Sequence, residues 1–171
     1  MKISILIIQI FIVLLVVSCQ RPAPQLPANK SETIDSTELR LLELNEKMIL
    51  SEDSLIQNYV ENSTANYLKH DLGFWYKIEK SDLGNSIQAN QKCEIEYRIY
   101  SLENNFLLEQ KETIIIGKKQ LPTGIEEALK MMRQGANADL VIPWYLAYGM
   151  KGNGNEIKPF SSLVVNIQRI K

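Results

Sequence analysis

The stretch Leu146–Gly154, which reads LAYGMKGNG, decides the fold of this 171-residue chain. Its three glycines, followed by Pro159, predict a long loop, because glycine and proline favour turns over regular structure. Tyr148 lies at the beginning of this loop. The residues on either side, 138–142 and 163–170, alternate apolar and polar side chains and therefore predict two strands that the loop connects.

More strand and turn signals lie upstream of this pair. Residues 126–132 have helical character, and Gly135 follows them as a C-terminal stop. Further strands are predicted over 74–78, 92–102, 106–108 and 112–116. Strands joined by turns, with one short helix among them, predict an α+β domain over 67–171 in which an antiparallel sheet wraps around that helix.

Residues 36–66 predict a helical segment in front of this domain. Asp35 and Glu38 have the spacing of a capping box, and Ser51 stands where it would cap a second helix within the segment. Apolar pairs recur at seven-residue intervals; they are Leu41/Leu42, Met48/Ile49 and Leu55/Ile56. Such a stripe either packs on the chain's own domain or forms the seam of a homodimer, and the sequence leaves both alternatives open.

The composition excludes several classes of function. Lysine and arginine together number 19 and aspartate and glutamate 20, so the chain lacks the basic surface that nucleic acid binding needs. His70 is the single histidine and no CxxC pair, P-loop or serine-hydrolase motif occurs. Cys93 lies in an alternating strand pattern, which favours a small buried residue over a nucleophile. We therefore expect neither a metal nor a cofactor.

The first residues have the pattern of a bacterial lipoprotein signal. Lys2 precedes the aliphatic run 3–17, which as a helix would extend about 22 Å, less than the roughly 30 Å of a bilayer's hydrocarbon core. The run ends at Cys19, which resembles a lipobox, where a cysteine is acylated after cleavage. Residues 1–18 are then a signal peptide and 19–35 a lipidated, proline-rich tether. We expect the domain at the bacterial cell envelope, in the periplasm or at the outer membrane, anchored to the lipid bilayer.

The C-terminal third of the chain carries a family resemblance. The matching stretches are GIEEAL at 124–129, MRQG at 132–135, LVIP at 140–143, LAYGMKGNG at 146–154 and IKP at 157–159. In this order and spacing they resemble the FKBP-type peptidyl-prolyl isomerases, with a weaker match at 93–97. The resemblance implies a folding helper that isomerises proline-containing polypeptides. With its anchor, the chain is similar to lipoproteins of the Bacteroidetes, including the gliding-motility-associated isomerase.

The resemblance also implies the residues of the site. Tyr148 matches the catalytic tyrosine whose hydroxyl donates to the substrate carbonyl, and Tyr97 matches a second catalytic position. The substrate-binding positions form an apolar pocket for the proline ring; they fall on Leu108, Leu121, Ile125, Ile157 and Val165. Such a pocket needs no acid, base or metal, because it acts by binding the twisted amide better than either planar form.

Several residues depart from the family's pattern. Ile125 stands where the family has an indole, and Val165 stands where it has another aromatic ring. Leu108 and Glu109 follow where the family has Phe-Asp. Pro122 occupies a position from which the family offers a backbone N–H to the ligand, and proline has none. The alternative function is therefore a weakly catalytic binding module that holds a partner protein.

Overall fold

The computed structural model describes residues 36–79 and 84–170 of the chain. The predicted signal peptide, Cys19, the tether and Asp35 of the capping box lie outside these residues. The chain divides into two compact units, 1–42 and 43–171. Of the first unit the structure describes only the beginning of helix α1, which runs Ser36–Glu61. The rest of α1 and all further elements belong to the second unit.

The second unit is built on one six-stranded sheet. Its strands are β1 (Leu68–Lys69), β2 (Trp75–Glu79), β3 (Lys92–Ser101), β4 (Phe106–Ile115), β5 (Asn137–Ile142) and β6 (Leu163–Arg169). They lie in the order β1-β2-β5-β6-β3-β4, and every neighbouring pair is antiparallel. A short helix, α2, spans Thr123–Met131 between β4 and β5. The predicted α+β fold, an antiparallel sheet with one short helix and a preceding N-terminal helix, is confirmed.

The main core lies between α2 and one face of the sheet, termed the inner face. Side chains alternate between the two faces of a strand. The buried inner-face residues of β3 are Cys93, Ile95, Tyr97 and Ile99. Helix α2 adds Ile125 and Leu129, both fully buried. Gly124 lets this helix approach the sheet, since a Cβ atom there would lie 2.6 Å from Cγ2 of Ile142.

Strand β4 is longer than the sequence predicts. The sequence pattern predicts separate strands over 106–108 and 112–116, whereas Phe106–Ile115 is one continuous strand, so this prediction is wrong. The polar residues 109–111 pair with residues 96–98 of β3. Ladder hydrogen bonds join backbone groups, so a polar run continues a strand wherever a partner strand lies beside it.

The helical segment predicted over 36–66 is one continuous helix that ends at Glu61. The hydroxyl of Ser51 donates to the carbonyl of Met48 at 2.9 Å, and the helix continues through both residues. The prediction that Ser51 caps a second helix is therefore wrong. A serine hydroxyl bonded to a carbonyl one turn earlier is compatible with a helix interior, and no chain break is needed.

Helix α2 begins and ends earlier than predicted. It begins at Thr123 because the Pro122 carbonyl accepts the N–H groups of the first turn, at 3.1 Å. Its end is set at Met132, where the backbone becomes extended. Gly135 is not the stop that the sequence pattern indicates; its N–H donates to the carbonyl of Arg169 at 2.7 Å and thereby leads the chain into β5.

Two hydrogen bonds hold the second half of α1 against the opposite, outer face of the sheet. The hydroxyl of Tyr59 donates to Oδ1 of Asn104 at 3.1 Å, and Asn104 lies in the turn between β3 and β4. The hydroxyl of Tyr145 donates to Oδ1 of Asp53 at 3.3 Å, and Tyr145 lies directly after β5. The helix therefore crosses the outer face of the strands between these two points.

A small second apolar layer lies under this part of α1. Val141 and Val164 pair across β5 and β6, and both are buried although they lie outside the main core cluster. Ile56 is likewise buried outside that cluster, with 1% of its surface exposed. The sequence leaves open whether the apolar stripe of α1 packs on the chain's own domain or forms the seam of a homodimer. For Ile56 the structure shows packing within the chain.

Most other large apolar residues of α1 remain exposed. They are Leu39, Leu41, Leu42, Leu44, Met48, Ile49, Leu50 and Leu55. In the ranges that the structure describes, no helix combines the length and the apolar character needed to cross a membrane. These exposed residues form an apolar stripe that packing within the described residues does not cover.

Ile56→Ala should destabilise the fold, because the loss of buried methyl groups leaves a cavity beneath α1. We expect the free energy of unfolding, measured by urea titration, to fall by about 2–4 kcal/mol. Leu50→Ala is the matched control, since Leu50 is 59% exposed on the same helix, and it should change this free energy by less than about 0.5 kcal/mol. Equal effects of the two substitutions would contradict the packing of Ile56 against the sheet.

Candidate active site

The loop between β5 and β6 is held by glycine and asparagine. Gly152 has a φ of +66°, and a Cβ atom there would lie 2.2 Å from the carbonyl oxygen of Ile157, so only glycine fits. Oδ1 of Asn153 accepts the N–H groups of Asn155 and Ile157, both at 2.9 Å. The N–H of Asn153 in turn donates to the carbonyl of Ile157 at 3.0 Å. These contacts fix the position of Ile157 relative to the start of the loop.

Tyr148 lies at the start of this loop, between two short 3₁₀ turns, Trp144–Leu146 and Gly149–Lys151. It is partly buried and packs against the main core cluster. Burial raises the pKa of the Tyr148 hydroxyl, and the negative charge of Glu112 raises it further. The hydroxyl therefore keeps its proton at neutral pH and is able to donate a hydrogen bond to a bound carbonyl.

Tyr97 is buried on the inner face of β3 with its hydroxyl pointing toward β4. The hydroxyl lies 2.8 Å from Oε1 of Glu112 and 2.9 Å from Oε1 of Gln110. Burial, together with the hydrogen bond and the charge of Glu112, holds the pKa of Tyr97 well above its usual range. Because a hydroxyl has one proton and a carboxylate is the stronger acceptor, Tyr97 donates to Glu112.

Gln110 and Glu112 are site residues that the sequence reasoning missed. They face the core because Gln110 pairs with Tyr97, and Glu112 pairs with Ile95, on the inner face of the sheet. Glu109 lies on the outer face instead, where its carboxylate contacts Arg98 at 2.7 Å. If β4 is taken as one continuous strand, the alternation of its side chains between the two faces places Gln110 and Glu112 on the same face as Leu108. This alternation is the sequence signal that would have identified them.

The apolar positions that the resemblance implies lie together in the structure. Leu121, Ile125, Ile157 and Val165 are buried in the same cluster as Tyr97. Leu108 is partly buried against this cluster, opposite Ile99 of β3. The structure therefore brings every predicted catalytic and substrate-binding residue of the folded domain into one region. Their roles toward a substrate stay predictions.

Pro122 lies directly before α2. Its carbonyl accepts the N–H groups of Ile125 and Glu126, each at 3.1 Å. Because proline has no N–H, position 122 supplies no backbone donor to a bound ligand. The hydrogen bonding of this site to a ligand must therefore come from Tyr148 and from other backbone groups.

The remaining candidate groups have structural roles. Cys93 is a buried free cysteine, as the strand pattern predicts, and burial raises the pKa of its thiol. Glu126 is buried and its Oε1 accepts the N–H of Gly117 at 2.8 Å, which joins α2 to the end of β4. Among the residues described, no three histidine, cysteine, aspartate or glutamate side chains cluster as a metal site would require.

The fold resembles several solved structures. The peptidyl-prolyl cis-trans isomerase from Pseudomonas syringae superposes with a TM-score of 0.62 at 24% identity, over 74% of this chain and 93% of that one. FkpA from Escherichia coli superposes with a TM-score of 0.61 at 19% identity, over 86% of this chain and 73% of that one. At these identities the likeness establishes a shared fold.

Sequence comparison agrees with the fold. A probable FKBP-type peptidyl-prolyl cis-trans isomerase of Haemophilus influenzae is 27% identical over 100 residues, which cover 56% of this chain and 41% of that protein. The chain spans between 24% and 57% of the length of the curated relatives it matches. The family model for the FKBP-type peptidyl-prolyl cis-trans isomerase matches residues 79–169, more than half of the chain. The chain therefore belongs to the FKBP-type peptidyl-prolyl cis-trans isomerase family.

Proposed function

We propose that this chain catalyses cis–trans isomerisation of the peptide bond that precedes proline in polypeptide clients. The observation that carries the proposal is the position of Tyr148, whose side chain packs against an apolar cluster that contains Leu121, Ile125 and Ile157. An apolar cluster with one hydrogen-bond donor beside it has the chemistry to hold a proline ring and to orient the neighbouring carbonyl.

The reaction needs no bond to be broken. Rotation about a peptide bond meets a barrier of about 18–20 kcal/mol, whereas the cis and trans forms before proline differ by only about 0.5–1 kcal/mol. Twisting the amide reduces its charge separation, so an apolar surface favours the twisted form over the planar forms. A surface that binds the twisted form more tightly lowers the barrier in both directions.

Each side chain then has a distinct role. Leu121 and Ile157 flank the proline ring, and Ile125 forms the floor beneath it. Tyr148 donates to the carbonyl of the residue before proline, while the hydroxyl of Tyr97 is directed toward Glu112 and contributes its ring as a wall. Val165 and Leu108, which belong to the same apolar region, keep water from the amide.

A second candidate function is a binding module that catalyses weakly. Pro122 supplies no donor, and Ile125 and Val165 provide less aromatic surface than the family usually has. A site of this kind would hold a proline-containing partner protein without accelerating its isomerisation. The two candidates differ in one measurable property, the rate of exchange at the bond before proline.

Tyr148→Phe should slow isomerisation by roughly two- to twelvefold, because it removes one neutral hydrogen bond worth about 0.5–1.5 kcal/mol. The measurement is kcat/KM of the full chain in detergent on a short peptide with a leucine before proline. Tyr100→Phe is the control, since Tyr100 contacts Phe106 near the turn between β3 and β4, and it should leave kcat/KM unchanged. A folded wild-type chain that binds this peptide but does not accelerate its exchange would favour the binding module.

We also propose that the protein works at a bacterial cell envelope as a lipoprotein that assists the folding of exported proteins. The support is the sequence pattern of the first residues, in which a short aliphatic run ends at Cys19. A proline-rich tether after Cys19 would keep the folded domain clear of the lipid headgroups. The narrower likeness to gliding-motility-associated lipoproteins of the Bacteroidetes belongs to this proposal.

Cys19→Ala should release the protein from membranes, because acyl chains on Cys19 are the proposed anchor. After expression in a bacterium that processes lipoproteins, we expect the wild type in the membrane fraction and the variant in the soluble fraction. Mass spectrometry of the wild type should show an acylated N-terminal cysteine. Cys93→Ala is the control for loss of a thiol, and an unmodified mature N-terminus would contradict the proposal.

A homodimer through α1 is the proposed arrangement of the anchored chain. Leu41, Met48 and Leu55 recur at seven-residue spacing and are all exposed, which suits the seam of a short coiled coil. Ile56, which packs on the sheet of its own domain, is not available for such a seam. The seam would therefore lie along one side of the helix, next to the side that contacts the sheet.

The double variant Met48→Glu and Leu55→Glu should convert the dimer to a monomer, since charges in an apolar seam are costly to bury. Sedimentation equilibrium of the chain with Cys19→Ala should give twice the monomer mass before these substitutions and the monomer mass after them. Leu50→Glu is the control, because Leu50 lies on a different side of the helix. A monomer in every variant would contradict the dimer.

A further inference from the structure

The carboxylate of Glu112 has no counter-charge in the part of the chain that the structure describes. Its hydrogen-bond partner is the hydroxyl of Tyr97, at 2.8 Å. The carboxylates of Glu94 and Glu109 on the outer face are paired, with Lys111 at 3.4 Å and with Arg98 at 2.7 Å. None of the described lysines or arginines forms such a pair with Glu112. A half-buried anion with one neutral partner attracts a cation more strongly than a solvated one does.

The position of Glu112 places this charge beside Tyr97, a residue of the proposed site. The carboxylate accepts the hydroxyl of Tyr97 at 2.8 Å, Tyr97 belongs to the main core cluster, and Tyr148 packs against that same cluster. In the proposed reaction Tyr148 donates to the carbonyl of the residue that precedes proline. The Cα of that residue is bonded to the same carbonyl carbon, so in this binding mode its side chain would start within reach of the site's walls, of which Tyr97 with its partner Glu112 is one.

We propose that Glu112 makes the site selective for clients with lysine or arginine directly before proline. This inference rests on the proposed isomerase function and names the class of substrate that the same site prefers. A lysine or arginine side chain is long and flexible enough to reach a carboxylate beside the carbonyl that Tyr148 binds. The pair would be charge-assisted and partly shielded from water, unlike the exposed pairs on the outer face.

The test compares peptides that are identical except for the residue before proline, which is lysine, leucine or glutamate. The full chain in detergent is assayed at low ionic strength, and the readout is the ratio of kcat/KM for the lysine peptide to that for the leucine peptide. We expect this ratio to be about three- to tenfold in the wild type and close to one in Glu112→Gln. The glutamine still accepts the hydrogen bond from Tyr97, so the variant removes charge while keeping this contact.

Two further variants make the test specific. Glu109→Gln removes a carboxylate from the outer face of the same strand and should keep the wild-type ratio. Glu112→Lys should reverse the preference, so that the glutamate peptide exceeds the lysine peptide. Because each comparison is a ratio within one protein, a general loss of activity in a variant does not imitate the expected result.

The possible outcomes separate this inference from the function on which it rests. Equal kcat/KM for the lysine and leucine peptides in the wild type would overturn the selectivity and leave the isomerase function intact. A preference for lysine that survives in Glu112→Gln would overturn the role of Glu112. If the wild type accelerates no peptide at all, the proposed function fails first and the selectivity fails with it.

Discussion

The close approach of α2 to β5 is the contact on which the rest of the domain depends. A Cβ atom at Gly124 would lie 2.6 Å from Cγ2 of Ile142, so any larger residue would push the helix away from the sheet. Glycine inside a helix costs about 1 kcal/mol relative to alanine, and the packing it allows offsets that cost. Ile125 follows directly, fully buried, so the same contact sets the depth of the proposed floor of the site.

The register between β3 and β4 decides which charges face the site. Glu109 and Glu112 are three residues apart, so strand alternation places them on opposite faces. A slip by one residue would exchange the faces of the whole strand and bring Glu109 and Lys111 inside. The observed register shift lies between Ile99 and Tyr100, near the turn, and leaves the pairing of Tyr97 with Gln110 unchanged. That Glu112 is the carboxylate of β4 on the inner face is therefore a consequence of backbone pairing.

Only a small part of the apolar stripe of helix α1 is buried by packing within the domain. Its second half contributes Ile56 to the outer layer and is tied to the loop before Tyr148 by the hydrogen bond between Tyr145 and Asp53. Leu44 and Leu55, on the same helix, have about half of their surface exposed, 49% and 56%. One buried side chain and two hydrogen bonds attach the helix, and a continuous apolar side remains exposed.

Side-chain patterning made most of this fold predictable from the sequence. Where apolar residues alternate with polar ones, as in 92–99 and 163–167, the pattern predicts both the strand and the face that is buried. The family motifs predict the position of Tyr148 beside the core. The middle of β4 was not predictable in this way, because Glu109, Gln110 and Lys111 carry no apolar signal and are held only by backbone pairing with β3.

The same limit applies to the chemistry of the site. The resemblance predicts site residues only at positions that match the family's motifs. Glu112 lies outside those positions, because the family's Phe-Asp pair matches Leu108 and Glu109. Its importance comes from a contact between two strands, the hydrogen bond from Tyr97, which exists only once the register is formed. A charge that enters the region of a site through strand pairing rather than through a motif becomes visible in the structure alone, and in this chain that charge is the carboxylate of Glu112.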